Sequence, residues 1–180
     1  KWTNSIIPDK FSSLSLKHDA PRLVIPFFNE KHNVIGYQGR SFDPNEQSKY
    51  ITIKMKGVDN LIYGQERLDI KKKIYCVEGP LDSLFLPNCL VTAGLNFKGL
   101  KMTNIIVLDN ERRNVQIVDA LKKVIANGYS VCIWPDSVKE KDINEMIISG
   151  KTTDDIVEII DTNTYSGLQA DFQLSQWKRC

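Results

Sequence analysis

Five acidic residues stand where they could act together: Glu78, Asp82, Asp109, Glu111 and Asp142. Glu78 directly follows the apolar run 74–77, Asp82 comes one helical turn later, and Asp109 directly follows the apolar run 105–108. Like charges held close together raise one another's pKa and oppose folding unless a cation compensates them. Carboxylate oxygens suit Mg²⁺, which binds substrate phosphates. The pattern therefore indicates phosphoryl or nucleotidyl transfer.

Alternating strands and helices in the second part of the chain would position these carboxylates. Apolar runs predict strands at 74–77, 90–92, 105–108 and 130–134, and helices are predicted at 81–86, from 115 to the stop at Gly128, at 142–148 and at 152–160. Such alternation predicts an α/β fold with a mainly parallel sheet, whose ligands bind beyond the carboxyl ends of the strands. The acidic residues fall at those ends.

The first part of the chain has a different pattern of predicted elements. Strands are predicted at 22–28, 34–42 and 49–55, with turns between them, which indicates a small, mostly β unit. We therefore divide the chain into a basic N-terminal subdomain at 1–70, a catalytic domain at 71–150 and a C-terminal helical segment at 151–180, in which 163–178 would be one more helix.

Composition sets the broad class. The chain has 180 residues, of which 42% are hydrophobic and 26% charged, as in ordinary globular proteins. Its net charge of +2 is too small to argue for nucleic-acid binding by itself. No apolar run approaches the length of a membrane span, so we expect an intracellular protein without membrane partners. The four cysteines are scattered, which predicts neither disulfides nor a zinc site.

Each acidic motif could instead have a purely structural role, because an isolated Glu-Gly or Asp-Asn-Glu is usually a turn or a helix cap. Their position at consecutive strand ends favours a site. The sequence contains no glycine-rich phosphate loop of the Walker or dinucleotide type, which argues against an ordinary ATPase or dehydrogenase.

The motif Glu78-Gly79-Pro80-Leu81-Asp82, followed by Asp109-Asn110-Glu111, resembles the Toprim signature of a glutamate motif and an Asp-x-Asp motif. Glu111 departs from it, since a glutamate replaces the second aspartate. Three upstream segments resemble the basic subdomain that precedes Toprim in bacterial and phage DNA primases: Pro21 to Pro26, Gly36 to Arg40, and Lys49 to Ile51. With Ile62-Tyr63-Gly64 and Lys141-Asp142-Ile143-Asn144, the order is most similar to primases of T-even-type bacteriophages.

This resemblance implies a role for each acidic residue. Glu78 would be a base or a metal ligand, Asp109 and Glu111 would bind Mg²⁺, and Asp82 and Asp142 would complete the site, with Asp142 also a metal ligand. Mn²⁺ is the alternative ion. Asn144 stands where primases often have a carboxylate. Five further residues would contact the template or the nucleotide triphosphate: Arg22, Arg40, Lys49, Tyr50 and Lys54.

The implied activity is the synthesis of short RNA primers on single-stranded DNA from ribonucleoside triphosphates. The implied partners are the DNA template, a hexameric replicative helicase and an N-terminal zinc-binding module whose cysteine spacing this sequence lacks. The chain is therefore expected to be the RNA polymerase fragment of a longer primase, with an end that resembles the family's own. It would act in the cytoplasm of an infected host cell.

Two other functions stay open at this point. Another Toprim enzyme, such as a nuclease or topoisomerase, would share the acidic motifs, although the basic subdomain disfavours both. A nucleic-acid-binding Toprim module without catalysis is the second, because Glu111 and Asn144 depart from the usual pattern. The initiation sequence and the primer length cannot be read from these residues.

Overall fold

The computed structural model of the chain describes residues 21–92, 97, 100 and 105–180. They divide into two compact units, one ending at Leu61 and the other beginning at Ile62. The predicted boundary at 70 lies further along the chain than this division. Strand Ile62–Tyr63, which precedes residue 70, already belongs to the sheet of the second unit. The first 20 residues of the predicted N-terminal subdomain lie outside the described residues.

The first unit is a three-stranded antiparallel sheet in the order β1-β2-β3. Its strands are β1 (Arg22–Phe28), β2 (Val34–Ser41) and β3 (Tyr50–Lys54), close to the predicted bounds. The turn between β1 and β2 is closed by the Asn29 side chain, which accepts hydrogen bonds from the backbone N–H of Lys31 and of Asn33, both at 3.0 Å. An asparagine in this role is a common turn device.

The second unit contains a six-stranded sheet in the order β4-β6-β5-β7-β8-β9. The four inner strands run parallel, and both edge strands pair antiparallel to them. The strands are β4 (Ile62–Tyr63), β5 (Tyr75–Val77), β6 (Cys89–Thr92), β7 (Ile105–Ile106), β8 (Ser130–Cys132) and β9 (Thr164–Tyr165). The predicted α/β class with a mainly parallel sheet is confirmed.

Helices cover both faces of this sheet. Their bounds are α1 (Val115–Ala126), α2 (Ile143–Ile148), α3 (Thr153–Thr162) and α4 (Gly167–Trp177). Helices α1 and α4 pack in one apolar core, while α2 and α3 pack in the other. Because both faces are buried, the inner strands are mostly apolar and lack the alternation of a half-exposed sheet.

Two predicted helices differ from the structure. The segment predicted as a helix at 81–86 is a short 3₁₀ helix, Asp82–Phe85. The tail predicted as one helix is interrupted, because β9 pairs with β8 before α4 begins at Gly167, where the backbone φ is 53°. Positive φ is a conformation that glycine adopts at little cost. Within the described part of the chain, no helix has the length and apolarity to cross a membrane.

Candidate active site

Three neighbouring parallel strands bring the acidic residues to one edge of the sheet. Glu78 directly follows β5, Asp109 lies three residues beyond β7, and Asp142 follows the loop after β8 as the N-cap of α2. Strand β7 lies between β5 and β8. Parallel neighbours end on the same side, so the connections that carry these side chains emerge together.

Hydrogen bonds hold the two loops that follow β7 and β8 against each other. The Asn110 backbone N–H donates to the Lys141 carbonyl at 2.7 Å, and its side-chain amide donates to the carbonyls of Val138 and Glu140, both at 3.1 Å. Beneath them, the buried Trp134 indole donates to the Leu108 carbonyl at 2.7 Å. Asn110 therefore fixes the distance between the Asp109 and Asp142 segments.

Asp82 is held in place by Asn144. One Asp82 carboxylate oxygen accepts from the Asn144 backbone N–H at 3.1 Å and from its side-chain amide at 2.6 Å. The other oxygen lies only 2.4 Å from the position that a Cβ on residue 79 would take. Glycine is required at 79 for this close approach, and Asn144 acts here as a hydrogen-bond donor to a neighbouring carboxylate.

Glu111 has two partners of its own. One carboxylate oxygen pairs with the Lys141 ammonium at 3.1 Å, and the other accepts from the Asn114 amide at 2.8 Å. Burial acts to raise the pKa of Glu111, but the contacts with Asn114 and Lys141 outweigh it and lower the pKa. The same ion pair raises the pKa of Lys141. Glu111 is therefore an ionised residue with a cation beside it.

Burial and like charge act on the remaining carboxyls. The pKa of Asp109 is raised from 3.8 to about 7, first by burial and then by the charges of Glu78, Asp82 and Asp142. The pKa of Glu78 is raised by burial and by Glu111, while Lys141 opposes the rise. The pKa of Asp82 is raised by burial and by Asp142, against the hydrogen bonds from Asn144. These shifts show that the carboxyls act on one another.

The donor set fits a divalent cation with oxygen ligands. The carboxyl groups of Glu78 and Asp109 accept no hydrogen bond from any described residue, so their oxygens are open to a ligand. Asp142 uses one oxygen to cap α2 by accepting from the Glu145 N–H at 2.8 Å. Among residues 21–92 and 105–180, no three acidic, histidine or cysteine side chains are already grouped as a metal site.

We predict a pH-dependent stability difference between the parent chain and Asp109→Asn. Because folding raises the pKa of Asp109, the folded state keeps its proton above pH 3.8, and the stability contributed by that proton is lost as the pH rises through about 7. Asparagine has no such charge. Thermal melting without metal should show the variant gaining on the parent by a few degrees between about pH 5 and about pH 8. A difference that stays constant over this range would contradict the shift.

The five predicted template or nucleotide contacts lie in the first unit, apart in sequence from the acidic residues. Lys49 is exposed. The Lys54 ammonium donates to the Asp59 carbonyl at 2.5 Å, and the Arg40 guanidinium lies 5.6 Å from the centre of the Tyr50 ring. Arg40, Tyr50 and Lys54 remain at least partly exposed despite these contacts.

Arg22 differs from them. Its guanidinium donates to the Ser48 carbonyl at 2.8 Å and pairs with Glu46 at 3.4 Å, and its side chain is only 6% exposed. An arginine with these partners would have to abandon them to bind a phosphate. Its contacts therefore support a structural role in fixing the segment before β3.

Four polar residues of the site were not singled out by the sequence: Asn110, Asn114, Trp134 and Lys141. Asn110 and Lys141 lie within the motifs quoted above, but the sequence assigned neither of them a role of its own. Asn114 has a local signal, since an asparagine before an apolar helical repeat is a preferred N-cap, and its side chain does accept from the Gln116 N–H at 3.0 Å. The contact of Lys141 with Glu111 joins residues far apart in sequence and leaves no local signal.

Comparison with known proteins gives a related sequence and several related folds. No family model matches the chain. It is 35% identical over 99% of its length to the DNA primase of Enterobacteria phage T4, and it spans about half of that protein, 53%.

Solved structures of primase domains share the fold. The RNA polymerase domain of Mycobacterium tuberculosis primase DnaG matches 78% of the chain with a TM-score of 0.61 at 16% identity, over 54% of its own length. A DnaG primase catalytic domain bound to single-stranded DNA matches 79% of the chain with a TM-score of 0.58 at 15% identity, over 51% of its own length. At such low identity these structures show a shared architecture.

Proposed function

We propose that this chain, a member of the DNA primase family, is the part of a primase that joins ribonucleotides into short RNA primers on single-stranded DNA. The observation that carries the proposal is the meeting of Glu78, Asp109 and Asp142 at one edge of a parallel sheet. The similarity to the T4 primase over 99% of the chain supports it. The reaction would be attack of a ribose hydroxyl on the α-phosphate of a bound ribonucleoside triphosphate, with pyrophosphate leaving.

The open carboxylates of Glu78 and Asp109 would hold Mg²⁺, and Asp142 would offer its second oxygen. When bound, the ion supplies positive charge to the phosphate oxygens and to the attacking and leaving oxygens. Mn²⁺ prefers the same oxygen ligands and is the alternative. Asp82, fixed by Asn144, adds negative charge beside the ligands. This charge would attract a cation, whereas without a cation it disfavours ionisation of the neighbouring carboxyls.

Lys141 would hold Glu111 at the border of this site. Its ammonium balances Glu111 and opposes the rise in the pKa of Glu78 and of Asp109 that burial and like charge cause. A cation next to the ligands favours their ionised form, which is the form that binds metal. Glu111 would then contribute to the site as a longer, paired replacement for the aspartate of the Toprim pattern.

Template and nucleotide phosphates would be contacted by three cations of the first unit, the partly buried Arg40 and the exposed Lys49 and Lys54. Arginine and lysine remain charged at neutral pH, so they suit a sequence-independent contact with phosphates. Tyr50, below the Arg40 guanidinium, offers a ring on which a base can stack. The resemblance to phage primases implies a zinc-binding module and a hexameric helicase as working partners, in the cytoplasm of an infected cell.

The test is incorporation of labelled ribonucleotides on single-stranded DNA with Mg²⁺, with the zinc module and helicase of the same replication system added. Short RNA products that disappear with EDTA would establish the proposed activity. Shortened DNA would instead identify a Toprim nuclease. Template binding without any product in the complete mixture would identify a module without catalysis and would refute the proposal.

A further inference from the structure

A basic cavity of about 600 Å³ lies beside the acidic residues in the second unit. Its wall is made by the loop after β7, by the loop after β8 and by Arg179 beyond the end of α4. Four of its lining residues are cationic: Arg112, Arg113, Lys139 and Arg179. Glu111 is the one acidic residue of the lining, and it is paired with Lys141.

Arg112 forms one side of the cavity and is held there by several contacts. That guanidinium donates to the carbonyls of Trp134 and Pro135 at 3.3 and 3.0 Å and pairs with Asp136. It also lies 5.8 Å from the centre of the Trp177 ring. With so many partners, Arg112 forms the wall and is poorly placed to bind a ligand as well.

Two other arginines give the cavity its available charge. Arg113 is exposed, and its side chain makes no hydrogen bond or ion pair with any residue from 21 to 92 or from 105 to 180. Arg179 is held through its backbone, since its N–H donates to the Arg112 carbonyl at 2.8 Å. One nitrogen of its guanidinium contacts carbonyls of its own helix end, at Gln176 and Lys178, which leaves other donors of the group for a ligand.

The lining predicts the class of ligand. Val138 is its one apolar side chain, so the cavity offers little to a base or another flat apolar group. Exposed guanidinium groups carry forked N–H donors whose geometry matches the oxygens of a phosphate. The N-terminus of α1 adds the positive end of a helix at Asn114, the N-cap that also lines the cavity.

We propose that this cavity binds a phosphate group next to the acidic site, with Arg113 and Arg179 as its donors. Two substrates of the proposed reaction carry such a group, namely the triphosphate of a nucleotide and the backbone of a nucleic-acid strand. The choice of these two rests on the proposed function, whereas the binding itself requires no turnover. Glu111 lines the cavity and borders the acidic site, so a phosphate bound there would lie close to the reacting groups.

The experiment measures binding without Mg²⁺, using the parent chain and two probes. Inorganic tripolyphosphate represents the nucleotide's triphosphate, and a labelled oligothymidylate represents the strand. The test variant is Arg113→Gln with Arg179→Gln. The control variant is Lys71→Gln with Lys72→Gln, which removes the same charge from exposed residues outside the cavity. Melting curves establish that both variants are folded.

We expect the arginine variant to bind at least one probe about tenfold more weakly, the effect of losing charge-assisted hydrogen bonds, with the control close to the parent. Weaker binding of tripolyphosphate alone would assign the cavity to the nucleotide, and of the oligonucleotide alone to the strand. Equal losses in both variants, or none in the arginine variant, would overturn the proposal. Primer synthesis by the parent is decided separately, so failure of the cavity and failure of the proposed function are distinguishable.

Discussion

Replacing Asp109 with asparagine is expected to reduce primer synthesis by more than about a hundredfold while the chain stays folded. Asp109 carries open carboxylate oxygens in the loop after β7, and β7 lies between the strands that position Glu78 and Asp142. Asparagine nearly keeps the shape but offers one neutral oxygen, which is a weak ligand for Mg²⁺. The loss should therefore fall on catalysis.

The measurement is the amount of labelled RNA made per folded molecule, with circular dichroism and melting curves for each protein. Asp171→Asn is the matched control, because Asp171 is exposed on α4 and makes the same change of charge away from the site. The parent and the control should make equal amounts of primer. Synthesis by Asp109→Asn within a few-fold of the parent would remove Asp109 from the site.

Gly79→Ala is expected to lower primer synthesis by about tenfold or more, with little loss of stability. The added Cβ would lie 2.4 Å from an oxygen of Asp82, so that carboxylate would have to move. Its movement would disturb the hydrogen bonds of 2.6 and 3.1 Å that the other oxygen accepts from Asn144, and would displace a negative charge beside Glu78 and Asp109. A small error in position at a reacting site is costly, because catalysis depends on the orientation of its groups.

Gly167→Ala separates this effect from a general effect of alanine. Gly167 has a φ of 53°, and a Cβ there meets nothing within 4 Å. Its substitution should cost stability of about 1 kcal/mol through the backbone and leave activity per folded molecule unchanged. If Gly79→Ala kept full activity while remaining folded, the close approach of Asp82 would have no role in the reaction.

The elements of the fold were well predicted wherever apolar runs were long or turns were distinctive. The hairpin of β1 and β2 and the helix α1 follow directly from such patterns. Strands β4 and β9 were not predicted, because each has only two residues and exists through pairing with β6 or β8. Pairing between distant segments leaves no periodicity in a short sequence window.

The acidic residues of the candidate site were proposed from the sequence, whereas the residues that contact them were not. Carboxylates at strand ends can be seen in sequence because the strand pattern and residue type coincide. The contacts of Asn144 with Asp82 and of Asn110 with the loop after β8 depend on how two loops meet in space. The contacts of Arg22 with Ser48 and Glu46, within its own unit, likewise have no local signal in the sequence.

The most direct test of the central claim is to measure how tightly the parent, Asp109→Asn and Asp171→Asn bind Mn²⁺. The free ion is followed through its electron paramagnetic resonance spectrum. The claim is that the carboxylates at the strand ends hold a divalent cation for nucleotidyl transfer. It predicts that the parent and Asp171→Asn bind the ion alike, that Mg²⁺ displaces it, and that Asp109→Asn binds it at least about tenfold more weakly. Equal binding by the parent and Asp109→Asn would contradict the claim.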